Sequence, residues 1–396
     1  MSSSLISDQS EFENLCDQIR QAGIVAFDTE FISEYRWKPE LCLLQFATPE
    51  RSVCVDPFAV TDLTSWWQIM EDDSTTVVVH GGQAEVRFCL SLGGGRPRKL
   101  VDVQIAEGFR SRSYPLGYTA LIARVLGEKI HGKETRSDWR RRPLSPQQIE
   151  YAIEDVDHLL KVWSTQSAAL AGQDRLWWAE AEFDKMISDV HTDIVRESWR
   201  KLPGVHRMRP QELAVLRELA NWRELEASRR DRPARRILRD DLLVELAKRQ
   251  PKTVTDVMAT RDMNRPEYKR IATELIDCIR AGQDVPERDR PRPPESAAGD
   301  QTSDEHVLGQ FLSLALTNRC FELNVSKQLV ATSADLRHLV RWHVFGEKQG
   351  TPPRLTQGWR AVVCGDLLTD VLDGKIWVRV ADPESDHPLI FVRPPA

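Results

Sequence analysis

The chain has 396 residues, a formal net charge of −6, 41% hydrophobic residues and 29% charged residues. This composition is typical of globular proteins and excludes a disordered or fibrous chain, and no apolar run approaches the ~18 residues of a membrane span. The length favours two or three domains. The first residues lack the basic and apolar regions of a secretory signal, so we expect a cytoplasmic protein that does not enter membranes.

Residues 24–31 form an apolar run of strand length that contains two acidic residues. Because successive side chains of a strand point to opposite faces, Asp28 and Glu30 share one face. Two neighbouring carboxylates on a buried strand repel each other and lose hydration unless a cation lies between them. A hard divalent cation, Mg²⁺ or Mn²⁺, is the simplest candidate. The alternative is a strand end at which one carboxylate is solvated and the other caps a helix.

The following elements alternate between strands and helices. In chain order we expect strands at 41–47 and 52–56, a helix at 62–70, a strand at 75–79, and helices at 100–109 and 117–126. The first three strands are predicted to form a meander. A further helix begins near Gln83 and places Glu85 in its first turn, where a carboxylate commonly complements the helix N-terminus. His80 is interpreted as a packed or hydrogen-bonded residue rather than a metal ligand.

A basic loop and a well-capped helix complete this part of the chain. Residues 133–143 contain four arginines, one lysine and one tryptophan, which suits phosphate contacts with base stacking, although a solvated basic loop has the same composition. Ser145, Pro146 and Gln148 form the capping box of a new helix. Four positions apart on that helix, Tyr151 and Asp155 share a face.

These motifs together resemble the DEDD superfamily of 3′-5′ exonucleases, in its tyrosine-bearing branch. The resemblance is carried by Phe27-Asp-Thr-Glu-Phe31, His80-Gly-Gly-x-x-Glu85 and Tyr151-Ala-x-x-Asp155. More narrowly, Arg136-Ser-Asp-Trp139 followed by Arg142-Pro-Leu144 is similar to the ribonuclease D family. The similarity covers roughly residues 5–170.

The resemblance implies a role for each matching residue. Asp28, Glu30, Glu85 and Asp155 would hold two divalent metal ions, Mg²⁺ or Mn²⁺, and Tyr151 would orient or help to deprotonate the attacking water. The family ordinarily has aspartate where this chain has Glu85. We therefore expect weaker activity with Mg²⁺ than with Mn²⁺, and a higher Mg²⁺-dependent rate after Glu85→Asp. The nucleic-acid contacts would come from His80, Lys133, Arg136 and Trp139.

The remaining chain is predicted to be mostly helical. Residues 171–208 form a helical connector whose tryptophans, Trp177, Trp178 and Trp199, are expected to anchor packing. Residues 209–284 resemble the HRDC domain of RecQ-type helicases and ribonuclease D. Between Arg200 and Gln250 fourteen Lys or Arg residues stand against eight Asp or Glu, which favours phosphate binding, with a solvated surface as the alternative. The candidate contacts are Arg229, Arg230, Arg235 and Arg236.

The C-terminal region follows a segment rich in proline and acidic residues. Residues 285–306 are predicted to be a flexible linker. Residues 307–396 are predicted to form a small domain that ends in a β-hairpin and could be a divergent second HRDC-like module. No catalytic motif is recognised there.

The sequence thus predicts an α/β fold with three main parts. A ribonuclease H-like mixed-sheet exonuclease domain at 1–170 is followed by the all-α HRDC domain and the small C-terminal domain. The expected function is a metal-dependent 3′-5′ exoribonuclease acting on single-stranded 3′ ends of structured RNA, with transfer RNA precursors as the implied class. A non-catalytic RNA-binding protein and a DNA-directed exonuclease are the alternatives, because 2′-hydroxyl contacts cannot be deduced from a sequence.

Overall fold

The computed structural model describes residues 4–130, 137–293, 303–348 and 350–393. Two compact units contain them. The first takes its described residues from 1–30, 42–191 and 298–396, and the second from 31–41 and 192–297. None of the helices in these described ranges is long and apolar enough to cross a membrane.

Six strands form one mixed sheet in the order β1-β4-β3-β2-β5-β6. The strands are β1 Leu5–Ile6, β2 Ile24–Ile32, β3 Glu40–Ala47, β4 Ser52–Val55, β5 Thr76–Val79 and β6 Leu100–Asp102. β3 and β4 are antiparallel, whereas β5 is parallel to both β2 and β6. β2, β3 and β4 are neighbours in the sheet, as the predicted meander requires, and the mixed sheet with flanking helices confirms the predicted fold class.

Helices cover the sheet and extend beyond it. Those up to residue 195 are α1 Gln9–Ala22, α2 Thr64–Glu71, α3 Gln83–Phe88, α4 Val103–Arg110, α5 Tyr118–Leu126, α6 Pro146–Asp157, α7 Leu159–Gly172 and α8 Leu176–Val195. α3 continues as a π-helical turn over Cys89–Gly93. α6 begins with the predicted capping box, in which the Ser145 side chain accepts from the Gln148 N–H and the Gln148 side chain accepts from the Ser145 N–H.

One predicted helix begins later than the sequence pattern indicates. The helix expected over 100–109 begins only at Val103, because the residues before it form β6 and pair with β5 in a parallel ladder. Asp102 then caps α4 by accepting hydrogen bonds from two backbone N–H groups of its first turn. The apolar run contains both the edge strand and the helix, and hydrophobic periodicity alone does not separate them.

The core beneath β2 is aromatic. Phe27 on β2 stacks on Phe46 of β3, with ring centroids 5.1 Å apart. Trp66 of α2 packs against both rings, at 4.6 and 4.7 Å. All three side chains are fully buried, so β2 is fixed from one side by aromatic packing.

The second unit is built on the predicted HRDC segment. Its helices are α9 Pro210–Arg230, α10 Ala234–Ile237, α11 Asp240–Arg249, α12 Val254–Ala259 and α13 Pro266–Gln283. Their apolar faces form one cluster, which also contains the buried ring of Trp199. Trp199 therefore anchors packing as predicted.

The C-terminal region packs on α4 and α8 of the first unit. It consists of α14 Ser303–Glu322, α15 Lys327–Val330, α16 Ser333–His343, α17 Gly358–Cys364, α18 Leu367–Leu372 and a hairpin of β7 Trp377–Val380 with β8 Leu389–Val392. The hairpin was predicted. α14 already begins at Ser303, inside the segment expected to be a linker, and residues 294–302 of that segment lie outside the described residues.

Two residues of α17 contact helices α4 and α8. The Trp359 ring lies 4.8 Å from Phe109 of α4 and 5.8 Å from Trp178 of α8. Arg360 donates a 2.7 Å hydrogen bond to Glu182 of α8, and both side chains are buried. Trp178 thus anchors packing as expected, whereas Trp177 is 41% exposed.

Candidate active site

β2 presents Asp28 and Glu30 at the middle of the sheet, as predicted from the alternation of its side chains. Both are only partly accessible. The Asp28 carboxylate accepts a 2.9 Å hydrogen bond from the backbone N–H of Thr29. Thr29 itself is 6% exposed, and its side chain contacts the third acidic residue of the site.

That third residue, Glu85, lies in the first turn of α3 and is 3% exposed. The turn before it requires two glycines: Gly81 has a φ of +69°, and a Cβ on Gly82 would lie 2.3 Å from Val79 Cγ2. Asp102 fastens the same turn, because its carboxylate accepts hydrogen bonds of 3.1 and 3.0 Å from the Gly81 and Gly82 N–H groups. The backbone that carries Glu85 is therefore fixed by buried contacts.

Tyr151 and Asp155 come from α6. The two side chains interact, as the four-residue spacing predicts, because the phenol lowers the pKa of the Asp155 carboxyl and Asp155 raises that of the phenol. The Tyr151 ring packs on Trp139, with centroids 6.2 Å apart. A cavity of about 870 Å³ lies along α6 and is lined in part by Tyr151 and Glu154, which leaves the phenol accessible from outside.

Burial is the largest cause of the raised pKa values of all four carboxyl groups, and the charges of other site carboxylates add to it at Asp28 and Glu30. Burial, followed by the charges of Asp155 and Glu85, raises the pKa of Glu30 to about 8. Burial raises the pKa of Glu85 to about 7, against a hydrogen bond from Thr29 that lowers it. Burial raises the pKa of Asp155 to about 6, and Asp28 is raised well above its usual range by burial and by Glu85. These four groups therefore form one electrostatic cluster.

Such a cluster has the chemistry of a divalent cation site, because buried carboxylates are stable as anions only when a cation neutralises them. Oxygen ligands select hard ions such as Mg²⁺ or Mn²⁺. Among the described residues, however, no three acidic, histidine or cysteine side chains are already close enough to form a ready-made ligand set. The donor types fit the ions, and side-chain movement would have to complete the coordination.

The residues expected to contact nucleic acid fall into different environments. His80 Nε2 lies 2.9 Å from the Leu116 carbonyl oxygen, and its ring packs edge-on against Tyr118, in agreement with the interpretation as a hydrogen-bonded residue. Trp139 is 5% exposed, so its ring supports Tyr151 and offers little surface to a base. Lys133 and Arg136 lie outside the described residues.

In the second unit, three of the four candidate arginines have acidic partners. Arg229 and Arg230 both bind Glu226, and Arg235 lies 2.7 Å from Asp240. Arg236 is exposed, and no acidic partner is found for it among the residues that the structure covers. Arg236 is therefore the candidate whose charge is best available to a phosphate.

Three residues support the site that are not among the predicted site residues. No role is predicted for Thr29 from the sequence, and Asp102 falls in the predicted helix over 100–109. Arg142 was quoted as part of a motif, but it forms hydrogen bonds of 2.6 and 2.7 Å to Asp56 and one of 2.8 Å to the Trp139 carbonyl oxygen. It thereby fixes the loop that packs on Tyr151. Arg142 stands beside Pro143 and Leu144 in the motif that resembles ribonuclease D, and that position is the sequence signal from which its role could have been predicted.

Comparisons with known proteins agree with this geometry. A family model described as a 3′-5′ exonuclease matches residues 4–166, and an HRDC domain model matches residues 212–279. Ribonuclease D of Bartonella henselae is 30% identical over 94% of this chain and 90% of its own length. Ribonuclease D of Pseudomonas paraeruginosa is 33% identical, with coverages of 93% and 97%.

A solved structure extends the similarity to nearly the whole chain. The crystal structure of Escherichia coli RNase D, described as an exoribonuclease involved in structured RNA processing, matches with a TM-score of 0.82 at 26% identity. The match covers 94% of this chain and 99% of that one. The agreement therefore includes the C-terminal region as well as the nuclease sheet.

Proposed function

The chain belongs to the ribonuclease D family of 3′-5′ exoribonucleases, and we propose that its four clustered carboxylates hold the divalent ions with which it hydrolyses RNA. The observation that carries this proposal is that carboxyl groups from β2, α3 and α6 are buried close together. Burial is the largest cause that raises the pKa of Glu30 to about 8 and that of Glu85 to about 7, and the charges of Asp155 and Glu85 add repulsion at Glu30. Binding of Mg²⁺ or Mn²⁺ would relieve this repulsion and leave all four groups ionised.

Asp28, Glu30, Glu85 and Asp155 would hold two divalent ions, which would supply an activated water and relieve charge on the leaving oxygen of a phosphodiester. The protein holds the side chains of the proposed ligands in position. Asp28 and Glu30 come from a strand fixed by aromatic packing, and Glu85 comes from a turn fixed by Asp102. The proposed site holds two ions, which are Mg²⁺ or Mn²⁺.

Tyr151 would orient the attacking water through its hydroxyl group. Burial, followed by the charge of Asp155, raises the pKa of the phenol above its usual range. The phenol is therefore protonated near neutral pH and can donate a hydrogen bond. This favours a role in orientation over a role as a phenolate base.

The proposed substrate is the single-stranded 3′ end of a structured RNA. The E. coli relative is described as acting in structured RNA processing, and transfer RNA precursors are the class that we propose for this chain. The excess of basic residues between Arg200 and Gln250 supports binding of the RNA backbone without reading its sequence.

The test uses the full chain and RNA labelled at its 5′ end, with a hairpin followed by a single-stranded 3′ extension. We expect stepwise shortening that requires Mg²⁺ or Mn²⁺, stops in EDTA, and is blocked when the 3′ end carries a phosphate. The DNA of the same sequence is the control for polymer preference. Faster shortening of DNA would support a DNA-directed exonuclease, and tight RNA binding without any shortening would support a non-catalytic protein.

A further inference from the structure

The Glu85 carboxylate is held by a hydroxyl group of the neighbouring strand. Thr29 Oγ1 donates a 2.6 Å hydrogen bond to Glu85 Oε1. Both side chains are buried, with 6% and 3% of their surface exposed. A buried carboxylate oxygen that lost this donor would lack compensation for its desolvation. The contact therefore restricts where the Glu85 carboxylate can lie.

The contact depends on the length of glutamate. Aspartate is shorter by one methylene, about 1.5 Å along a carbon-carbon bond, and from the present 2.6 Å the hydroxyl and carboxylate would separate beyond hydrogen-bonding distance. The backbone cannot easily move to compensate. Asp102 binds the Gly81 and Gly82 N–H groups, and Gly82 lies directly against Val79.

We propose that Thr29 positions Glu85 for metal binding, and that Thr29 and Glu85 act as a pair in place of the aspartate usual in the family. This inference rests on the proposed function, since it takes Glu85 to be a metal ligand. Thr29 engages Oε1 of Glu85, and the Glu85 carboxyl also interacts with Asp28, a second proposed metal ligand. An outer partner of this kind fixes the orientation of a ligand. The site is thus adapted to glutamate, which reverses the expectation from the sequence that Glu85→Asp raises the rate.

A double-mutant cycle in the full chain tests the pairing. The four proteins are the wild type, Thr29→Val, Glu85→Asp and the double variant, and the measurement is Mn²⁺ affinity from electron paramagnetic resonance of the free ion. Thr29→Val should weaken Mn²⁺ binding about tenfold or more when Glu85 is present, in the range found for outer-sphere partners. The same change should have little effect when residue 85 is aspartate. Thr29→Ser keeps the hydroxyl and should bind as the wild type does.

A metal-free measurement separates this inference from the proposed function. In EDTA, urea unfolding of the same four proteins measures how much unfolding free energy is lost on Thr29→Val. This loss should be larger with Glu85 than after Glu85→Asp, because only glutamate reaches the hydroxyl. Equal costs, or equal losses of Mn²⁺ affinity in both backgrounds, would overturn the pairing and leave the proposed function intact. A wild type that binds no Mn²⁺ would overturn both.

Discussion

Tyr151 interacts with Asp155 through its phenol and lines the cavity along α6. Its ring packs against Trp139. Removal of the hydroxyl in Tyr151→Phe leaves the ring packing intact and should lower kcat roughly 10²-fold or more, as for other groups that orient or transfer a proton. Mn²⁺ binding should persist, because all four carboxylates that would bind metal remain.

Tyr118→Phe is the matched control for this prediction. The Tyr118 hydroxyl donates a 2.7 Å hydrogen bond to the Glu154 carbonyl oxygen, so it contacts the same helix without touching the four carboxylates directly. Single-turnover rates on labelled RNA should fall for Tyr151→Phe and stay near the wild-type value for Tyr118→Phe. Equal losses in both variants would mean that the tyrosines only support α6.

The Glu30 carboxyl predicts a pH dependence of stability. Its pKa is raised to about 8 in the folded chain, from 4.5 for a free side chain. The folded state therefore holds more protons than the unfolded state between these values, and this contribution to stability falls as the pH rises through that range. In EDTA, the unfolding free energy of Glu30→Gln relative to the wild type should increase from about pH 5 to about pH 8, by up to a few kcal/mol at ~1.4 kcal/mol per pKa unit.

Denaturant unfolding of both proteins across this pH range checks the prediction, and added Mn²⁺ provides the control. The ion favours the ionised carboxylates and should restore the stability of the wild type at high pH. A constant difference between Glu30→Gln and the wild type across the range would contradict the account of Glu30 as a buried, repelled carboxyl.

At the scale of elements, α17 is fastened to α8 by a buried ion pair. Arg360 donates hydrogen bonds to Glu182, to the Leu329 carbonyl oxygen and to the Val330 carbonyl oxygen. Arg360→Met would leave Glu182 charged and buried without its partner, which typically costs about 3 to 5 kcal/mol. Urea unfolding of the full chain should show this loss.

An exposed pair on the same helix is the control. Lys185 and Asp189 are bridged on α8 with side chains 37% and 64% exposed, so Lys185→Met should change the unfolding free energy by less than about 1 kcal/mol. If Arg360→Met and Lys185→Met cost the same, the Arg360 pair does not anchor the C-terminal region.

The elements also explain what the sequence could and could not predict. The start of α6 was predictable because its capping box is local, formed by Ser145 and Gln148 three residues apart. The strand β6 was not, because its identity depends on pairing with β5, which lies more than twenty residues earlier. The contact between Thr29 and Glu85 spans 56 residues and becomes visible only when β2 and α3 are placed side by side. The site residues were recognisable as motifs, whereas their supporting contacts are set by the tertiary fold.

The two helical regions share a pattern of element lengths. α9, α10 and α11 have 21, 4 and 10 residues, and α14, α15 and α16 have 20, 4 and 11. This correspondence supports the proposal that the C-terminal region is a divergent second HRDC-like module. The later helices differ, since α13 has 18 residues and α17 only seven.

At the scale of the whole molecule, the net charge of −6 requires that RNA binding depend on local basic surface. Arg236 should contribute more than Arg229, because Arg229 is held by Glu226 through hydrogen bonds of 2.7 and 2.8 Å. Arg236→Gln and Arg229→Gln change the net charge equally. In EDTA, Arg236→Gln should reduce the slope of log affinity for single-stranded RNA against log salt by about 0.7, the value of one phosphate contact.

Fluorescence anisotropy with the full chain measures both slopes. Arg229→Gln should leave the slope nearly unchanged. Equal reductions would show that only total charge matters, and no change in either variant would place the RNA contacts on other residues.

The proposed hydrolysis depends on four carboxylates from β2, α3 and α6 that hold the divalent ions. Anomalous diffraction from crystals soaked in Mn²⁺ above pH 8, where Glu30 is ionised, tests this metal binding directly. We predict two peaks about 3.5 to 4 Å apart, bounded by Asp28, Glu30, Glu85 and Asp155, with at least one peak lost and RNA hydrolysis reduced about 10³-fold or more in Asp155→Asn. Peaks at another site, or no peaks from a protein that still shortens RNA in Mn²⁺, would contradict the account.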